Sequence, residues 1–216
     1  MPEKTQLYLI TPASFALDDF SNTLWETLSA GPVACLQLRM KDCSLSTVRQ
    51  AAETLLPICF ENDVALLIND HVEIAREVGA DGVHLGQGDG DVRAARALLG
   101  IDAMIGVTCH NSRHLAFEAG EQGADYVAFG AFFPTDTKDV THTATPDILT
   151  SWVEIIEIPC VAIGGIKVDN CSVLIETGAN FIAVSSGVWN YADGPKAAVQ
   201  AFNKVIDEVF EERKDA

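Results

Sequence analysis

"GADGVHLG" at residues 79–86, "GADYVAFG" at 123–130 and "GANFIAVSS" at 178–186 are three versions of one phrase. Each closes a helical stretch with a glycine, a small residue and a polar one, then runs into a short apolar segment. The glycine suits the left-handed backbone that ends a helix, and the apolar segment suits a buried strand. The phrase therefore has a structural reading: helix end, turn, strand.

Outward from these phrases, short apolar or β-branched runs recur along the whole chain. They are "LYLIT" (7–11), "ACLQLR" (34–39), "VALLIND" (64–70), "GVHLG" (82–86), "MIGVT" (104–108), "YVAFG" (126–130), "CVAIGG" (160–165) and "FIAVSS" (181–186). Between the runs the apolar period changes from about two to about 3.6 residues. In the last helical stretch Ala198, Ala201, Phe202, Val205, Val209 and Phe210 form a stripe, with Asp193 and Pro195 as start signals. From Ser44 onward, Val48, Ala51, Ala52, Leu55 and Leu56 do the same. Eight alternating strand and helix units predict an α/β fold, a (β/α)8 barrel of eight parallel strands with surrounding helices.

Length and composition agree. A chain of 216 residues, 48% hydrophobic, can bury one large core, and one domain over 1–216 is expected because no linker or low-complexity segment interrupts it. A disordered chain is excluded. No apolar stretch approaches about 18 residues, and "MPEKTQLYLI" lacks a leader's basic and apolar regions, so a cytoplasmic protein is expected. Six cysteines, Cys35, Cys43, Cys59, Cys109, Cys160 and Cys171, show no CxxC pairing or clustering with histidine; they read as reduced, mostly buried thiols. A net charge of −17 argues against nucleic acid or an anionic membrane as partner.

Against that acidic background, "LQLRMKDC" (36–43) spends two of only 14 Lys and Arg residues side by side. In a strand, Gln37, Arg39 and Lys41 share one face while Leu36, Leu38 and Met40 share the other. Like charges on one face repel, so an anion is expected between them. A barrel puts its functional groups at the C-terminal strand ends. Those ends carry Arg39 and Lys41; Asn69 and Asp70; Gln87 and Asp89; Thr108 and His110; Thr135, Thr137 and Lys138; Gly164 and Gly165; Ser185 and Ser186. Arg39, Lys41 and Lys138 supply cations, and Asp70 and Asp89 supply acids that Asn69 and Gln87 would hold in place. Few carboxylates beside a cationic cluster suit Mg²⁺ and a diphosphate. "AIGGI" and "VSSGV" suit a second phosphate at the last two strands, with Thr135 and Thr137 as further donors. The irregular stretch from Pro134 to Pro146 is the expected active-site loop.

Each signal also has a plainer reading. Arg39 and Lys41 read equally as partners for surface acids, and a glycine pair alone often serves only a tight turn. His84 reads as a satisfied core histidine; His71, His114 and His142 read as loop or helix-surface residues. "GQGDGD" lacks both EF-hand spacing and the context of a dinucleotide fingerprint.

Taken together, "QLRMK", "INDH", "GVHLGQGD", "IGVTCH", "GADYVAFGAFFPTDTK", "AIGGI" and "VSSG" resemble the thiamine phosphate synthase family, in order, from about residue 7 to 210. The resemblance implies a TIM barrel, a transferase that joins hydroxymethylpyrimidine diphosphate to hydroxyethylthiazole phosphate with release of diphosphate, and Mg²⁺ as cofactor. By position it implies that Arg39, Lys41, Asn69 and Lys138 contact the diphosphate, with Lys138, Arg39 and Lys41 catalytic and Asp70 and Asp89 on the metal. It puts Gln37 by the pyrimidine, Thr108 near the diphosphate where the family usually has serine, and Thr135, Thr137, Gly165, Ser185 and Ser186 around the thiazole phosphate. A dissociative substitution and, more loosely, a homodimer also follow from it.

Two alternatives stand beside this reading. A thiazole tautomerase of the same fold is expected to carry histidine where this chain has Ala131, and tends to lose the acids and cations kept here. A sugar-phosphate isomerase would not require the diphosphate cluster, while a non-catalytic phosphate-binding barrel would bind both substrates without turnover. The chain departs from the family pattern at Thr108, Asn180 and Gly187, and "DVTHTATPD" (139–147) lacks a glycine-containing continuation. Cys109, beside the site, reads as packing.

Overall fold

Three glycines that end helices do so in the backbone conformation the repeated phrase requires: Gly79, Gly123 and Gly178 have φ of 72°, 98° and 90°. The polar third residue of each phrase has a second task. Asp81 Oδ2 accepts the Leu66 N–H at 2.7 Å, Asp125 Oδ2 accepts that of Ile105 at 2.6 Å, and Asn180 Oδ1 accepts that of Cys160 at 2.9 Å. Each phrase thus ends a helix, opens a strand and satisfies an otherwise orphaned amide at the start of the preceding strand. Asn180 differs from the two acids because its Nδ2 donates to Glu3 Oε2, where a carboxylate would meet like charge.

The computed structural model describes residues 3–135 and 142–215. In chain order it comprises β1 (Gln6–Ile10), α1 (Leu17–Leu28), β2 (Cys35–Leu38), α2 (Leu45–Glu61), β3 (Ala65–Asn69), α3 (Val72–Val78), β4 (Gly82–Leu85) and α4 (Val92–Leu99). Then follow β5 (Met104–His110), α5 (Arg113–Gln122), β6 (Tyr126–Gly130), α6 (Asp147–Val153), β7 (Cys160–Ile163), α7 (Ser172–Glu176), β8 (Phe181–Val184), α8 (Ser186–Trp189) and α9 (Pro195–Asp215). The eight strands pair in parallel and in sequence order, β8 returning to β1, so the sheet is a closed barrel. Helix starts are fixed locally: Ser44, Asp91 and Ser112 accept the Thr47, Ala94 and Leu115 N–H groups, each cap contributing about 1 kcal/mol.

Strand alternation divides the core in two. Leu36, Leu38, Leu66, Ile68, Val83 and Leu85 face outward into the layer between sheet and helices. Tyr8, Ile10, Cys35, Leu67, Tyr126, Ala128, Val161 and Ala183 face inward and fill the barrel. The inward packing is tight enough to dictate residue type: a Cβ on Gly106 would lie 1.8 Å from Cζ of Tyr126, so the ring takes the space a side chain would need. Outside, Trp152 is buried against Phe129 and Phe117 with its indole N–H on the Ile158 carbonyl. Truncating such a residue costs about 3–5 kcal/mol.

Two expectations need correction. The strand expected to stop at Thr108 continues to His110, because a register shift between Thr108 and His110 lets β5 keep pairing with β6. On α9 the buried face is Ala198, Val199, Phe202, Ile206 and Val209; Ala201, Val205 and Phe210 are only partly covered. The helix is turned slightly from the predicted stripe so that its face meets α7, α1 and β1. Five of the six cysteines are buried and all six are free thiols. Among the described residues no helix is long and apolar enough to cross a membrane.

Candidate active site

β2, β7 and β8 end at Leu38, Ile163 and Val184, one or two residues earlier than the apolar runs suggest. Arg39, Gly164, Gly165, Ser185 and Ser186 therefore stand just past the strands, on the rim where the βα loops gather. There they line a cavity of about 360 Å³ together with Gln37, Lys41, Asn69, Asp70, Asp89, Thr108 and Thr135. Thr137 and Lys138 lie outside the described residues.

Among the described residues neither Arg39 nor Lys41 forms an ion pair, although six other pairs exist. Arg39 is half-buried, and loss of hydration lowers its pKa while the nearby Asp70 charge works the other way. Its backbone is held by Thr11, whose Oγ1 accepts the Arg39 N–H at 3.0 Å.

The acids converge on one glycine. Asp70 is held with φ of 63° at the end of β3; its Oδ1 accepts the Gly86 N–H at 3.1 Å and its Oδ2 accepts from Asn69 Nδ2 at 2.5 Å. Asp89 sits in the turn after β4. A Cβ on Gly86 would lie 2.2 Å from Asp89 Oδ2, so the absent side chain is what leaves room for that carboxylate, while Asp70 Oδ1, at 3.7 Å, would be in ordinary contact. Among the described residues no three His, Cys, Asp or Glu side chains cluster as a metal site. Two carboxylates with open space beside them fit a hard divalent cation such as Mg²⁺ that takes its remaining oxygens from water and phosphate. Asn69 braces Asp70 as expected. Gln87 does not brace an acid: its Nε2 donates instead to the Thr108 carbonyl at 2.6 Å, because the turn after β4 carries it toward β5.

At the opposite pole the glycine pair has a steric reason of its own. Gly164 and Gly165 have φ of 105° and 65°, and Cβ atoms there would meet Ala131 Cβ at 2.4 Å and the Pro134 carbonyl at 2.4 Å. The pair lets the chain after β6 lie directly on the end of β7, where Phe132 and Phe133 donate to the Ile163 and Gly164 carbonyls. Gly187 is likewise required, since a Cβ would lie 2.3 Å from the Ile166 carbonyl oxygen. Ser185 Oγ donates to the Thr11 carbonyl at 3.3 Å.

Other residues in and around the cavity have no ligand role in the sequence reading. His142, read as a loop or surface residue, is exposed but lines the cavity, its ring 4.6 Å from that of His110. Asn111 anchors the same loop through the Thr143 carbonyl. His84 is buried as expected, yet it too faces the cavity, bonded to Tyr126 and Thr108. Tyr8 and Tyr126 lie within the apolar runs of β1 and β6 and face the barrel interior; the inward parity of their positions is the signal that marks them. Ala131 lines the cavity at the position where a tautomerase is expected to carry histidine.

A closed parallel barrel whose rim gathers cations, acids and hydroxyls around one cavity defines a (β/α)8-barrel enzyme with its site at the C-terminal face. Residues 7–188 match the family model described as thiamine monophosphate synthase. The chain is 55% identical over 201 residues to a thiamine-phosphate synthase of Rhodospirillum centenum, covering 93% of this chain and 97% of that one. It is 52% identical over 209 residues to a thiamine-phosphate synthase of Hyphomonas neptunium, covering 94% and 95%. A solved thiamine phosphate pyrophosphorylase from Pyrococcus furiosus matches with a TM-score of 0.82 at 32% identity, over 94% of this chain and 96% of that one. This chain belongs to the thiamine monophosphate synthase family and is a transferase of thiamine biosynthesis.

Proposed function

We propose that the protein joins hydroxymethylpyrimidine diphosphate to hydroxyethylthiazole phosphate, forming thiamine phosphate and diphosphate. The observation that carries this reading is the meeting of Arg39 and Lys41, neither of them ion-paired among the described residues, with Asp70 and Asp89 around one cavity. A single phosphate would not call for so many charges of both signs.

Arg39 and Lys41, with Lys138, bind the diphosphate and offset the charge that grows on it as it leaves. Asn69 holds Asp70 in place. Asp70 and Asp89 would hold Mg²⁺, which when bound supplies further charge neutralisation on the diphosphate oxygens. The bond between the pyrimidine methylene carbon and the diphosphate oxygen breaks, its electron pair leaving with the diphosphate. The thiazole nitrogen then donates its lone pair to the same carbon. No proton moves in this exchange, so no protein base is required. Gln37 contacts the pyrimidine, Thr108 the diphosphate, and Thr135, Thr137, Gly165, Ser185 and Ser186 the thiazole phosphate. Small molecules are thus the partners; a homodimer is the expected assembly, which light scattering on the purified protein would check.

Asp70→Ala and Lys138→Ala test these roles through single-turnover rates at saturating substrate. Each is expected to slow the chemical step by about 10²-fold or more, the usual scale for loss of one transition-state contact. Unchanged rates in both would refute the assignment.

A further inference from the structure

Beneath the rim, five polar side chains from five strands form one unbroken line of hydrogen bonds across the barrel interior. Gln37 Nε2 donates to Tyr8 Oη at 2.6 Å, Tyr8 Oη lies 3.0 Å from Tyr126 Oη, and Tyr126 Oη lies 2.9 Å from His84 Nδ1. His84 Nε2 then lies 2.8 Å from Thr108 Oγ1. Gln37, Tyr8, Tyr126 and His84 are only 2%, 2%, 7% and 4% exposed, so the middle of the line is held out of bulk water. Both ends, Gln37 and Thr108, open on the cavity.

A phenol carries one proton, a neutral imidazole carries one, and an amide donates only through its nitrogen. Burial pushes both tyrosine pKa values up, so each phenol keeps its proton. With Gln37 donating, Tyr8 must donate to Tyr126 and Tyr126 to His84 Nδ1. His84 is then the Nε2–H tautomer and donates to Thr108, which turns its own O–H outward. Turning the Gln37 amide over reverses every bond: His84 becomes the Nδ1–H tautomer, and Thr108 spends its proton on Nε2 and shows the cavity a lone pair. With a neutral imidazole, any break in the order between Tyr8 and His84 sets two protons or two lone pairs against each other, which weakens the line at that bond.

We infer that this line is a direction-coupled relay, in which the amide orientation of Gln37 sets, through the tautomer of His84, whether Thr108 offers the ligand a proton or a lone pair. The inference rests on the diphosphate reading for what lies beside Thr108. An anionic oxygen there selects the Thr108 donor direction, and the same direction turns the Gln37 carbonyl oxygen to the cavity as an acceptor for an N–H-bearing ring. The two ends of the ligand are recognised as a pair. Tyr8, Tyr126 and His84 act as positioning residues through the groups at either end.

The test is the tautomer of His84 in the ligand-free protein, read from long-range ¹H–¹⁵N NMR spectra, its signals assigned by their loss in His84→Gln. Wild type is expected as Nε2–H. Gln37→Glu puts an acceptor-only carboxylate at the head of the line and is expected to switch His84 to Nδ1–H. Adding Tyr126→Phe cuts the line, so His84 should match Tyr126→Phe alone whatever stands at position 37. His84 remaining Nε2–H in Gln37→Glu, or switching despite Tyr126→Phe, would overturn the relay. Separately, Thr108→Val is expected to weaken binding of inorganic pyrophosphate with Mg²⁺ about tenfold by calorimetry, the scale of one hydrogen bond to a charged group. Unchanged pyrophosphate affinity with an intact tautomer response would leave the relay standing and remove the diphosphate reading.

Discussion

Thr11 holds the backbone of Arg39 from both sides: its Oγ1 accepts the Arg39 N–H at 3.0 Å and lies 3.4 Å from the Arg39 carbonyl oxygen. The separate bond from the Thr11 N–H to the Gln37 carbonyl keeps β1 and β2 paired just below. The hydroxyl therefore serves Arg39 more than the barrel. Thr11→Val is expected to leave the fold intact and raise KM for the diphosphate substrate about fivefold, from the ~1 kcal/mol of one hydrogen bond. Thr11→Ser should stay near wild type in steady-state assays.

Gly86→Ala places a methyl group where Asp89 Oδ2 now stands, 2.2 Å from the ideal Cβ position. Because the obstacle is the end of an exposed side chain, the barrel should keep its melting temperature while the carboxylate pair is pushed apart. A titration of activity against Mg²⁺ is expected to need about tenfold more metal for half-maximal rate.

The N-terminal face of the barrel should affect stability alone. Asp125 Oδ2 accepts from the Ile105 N–H and from Arg96 Nη2 at 2.5 Å, while Arg96 also ties down the Ala103 and Gly123 carbonyls. Asp125→Ala orphans a buried amide, at a cost of about 1–3 kcal/mol. For a chain of this size that lowers Tm by about 2–4 °C per kcal/mol, with kcat unchanged.

Burial pushes the Cys59 and Cys109 thiols up to about 12 and those of Cys160 and Cys171 up to about 11, from an ordinary 9.0. Below pH 9.0 both folded and unfolded chains hold these protons. Above it the unfolded chain releases them while the folded chain does not, so stability falls as pH rises toward about 12. Urea midpoints at pH 8 and pH 10 should show a lower value at pH 10. In the native state near pH 8, a thiol reagent should modify the half-buried Cys43 well before the five buried cysteines.

The strands were legible because each short apolar run is bounded by a helix-ending glycine or a polar rim residue, as at Gly123 and Asp70. β5 escaped that logic: its bulge between Thr108 and His110 is a matter of pairing with β6, and apolar content does not record it. The rim was legible because Arg39, Lys41, Asp70 and Asp89 are charges placed just past the C-terminal ends of apolar runs, where a barrel gathers its βα loops. What could not be read was partnership across the barrel. Tyr8 and Tyr126 lie 118 positions apart and meet at 3.0 Å only because strands one and six face each other through the barrel interior. His142 reads as a loop or surface residue and is exposed; its place beside His110, on the neighbouring strand end, is again a contact between distant positions. Gln87 misled because nearness in sequence to Asp89 says nothing of which way a turn throws its side chain.

The most direct measurement is product formation. The purified protein is incubated with hydroxymethylpyrimidine diphosphate and hydroxyethylthiazole phosphate, with Mg²⁺ or with chelator, and thiamine phosphate is quantified. The account predicts thiamine phosphate and diphosphate in equal amounts with Mg²⁺, and neither product with chelator. No thiamine phosphate with Mg²⁺, from this acceptor or its carboxylated form, would contradict it.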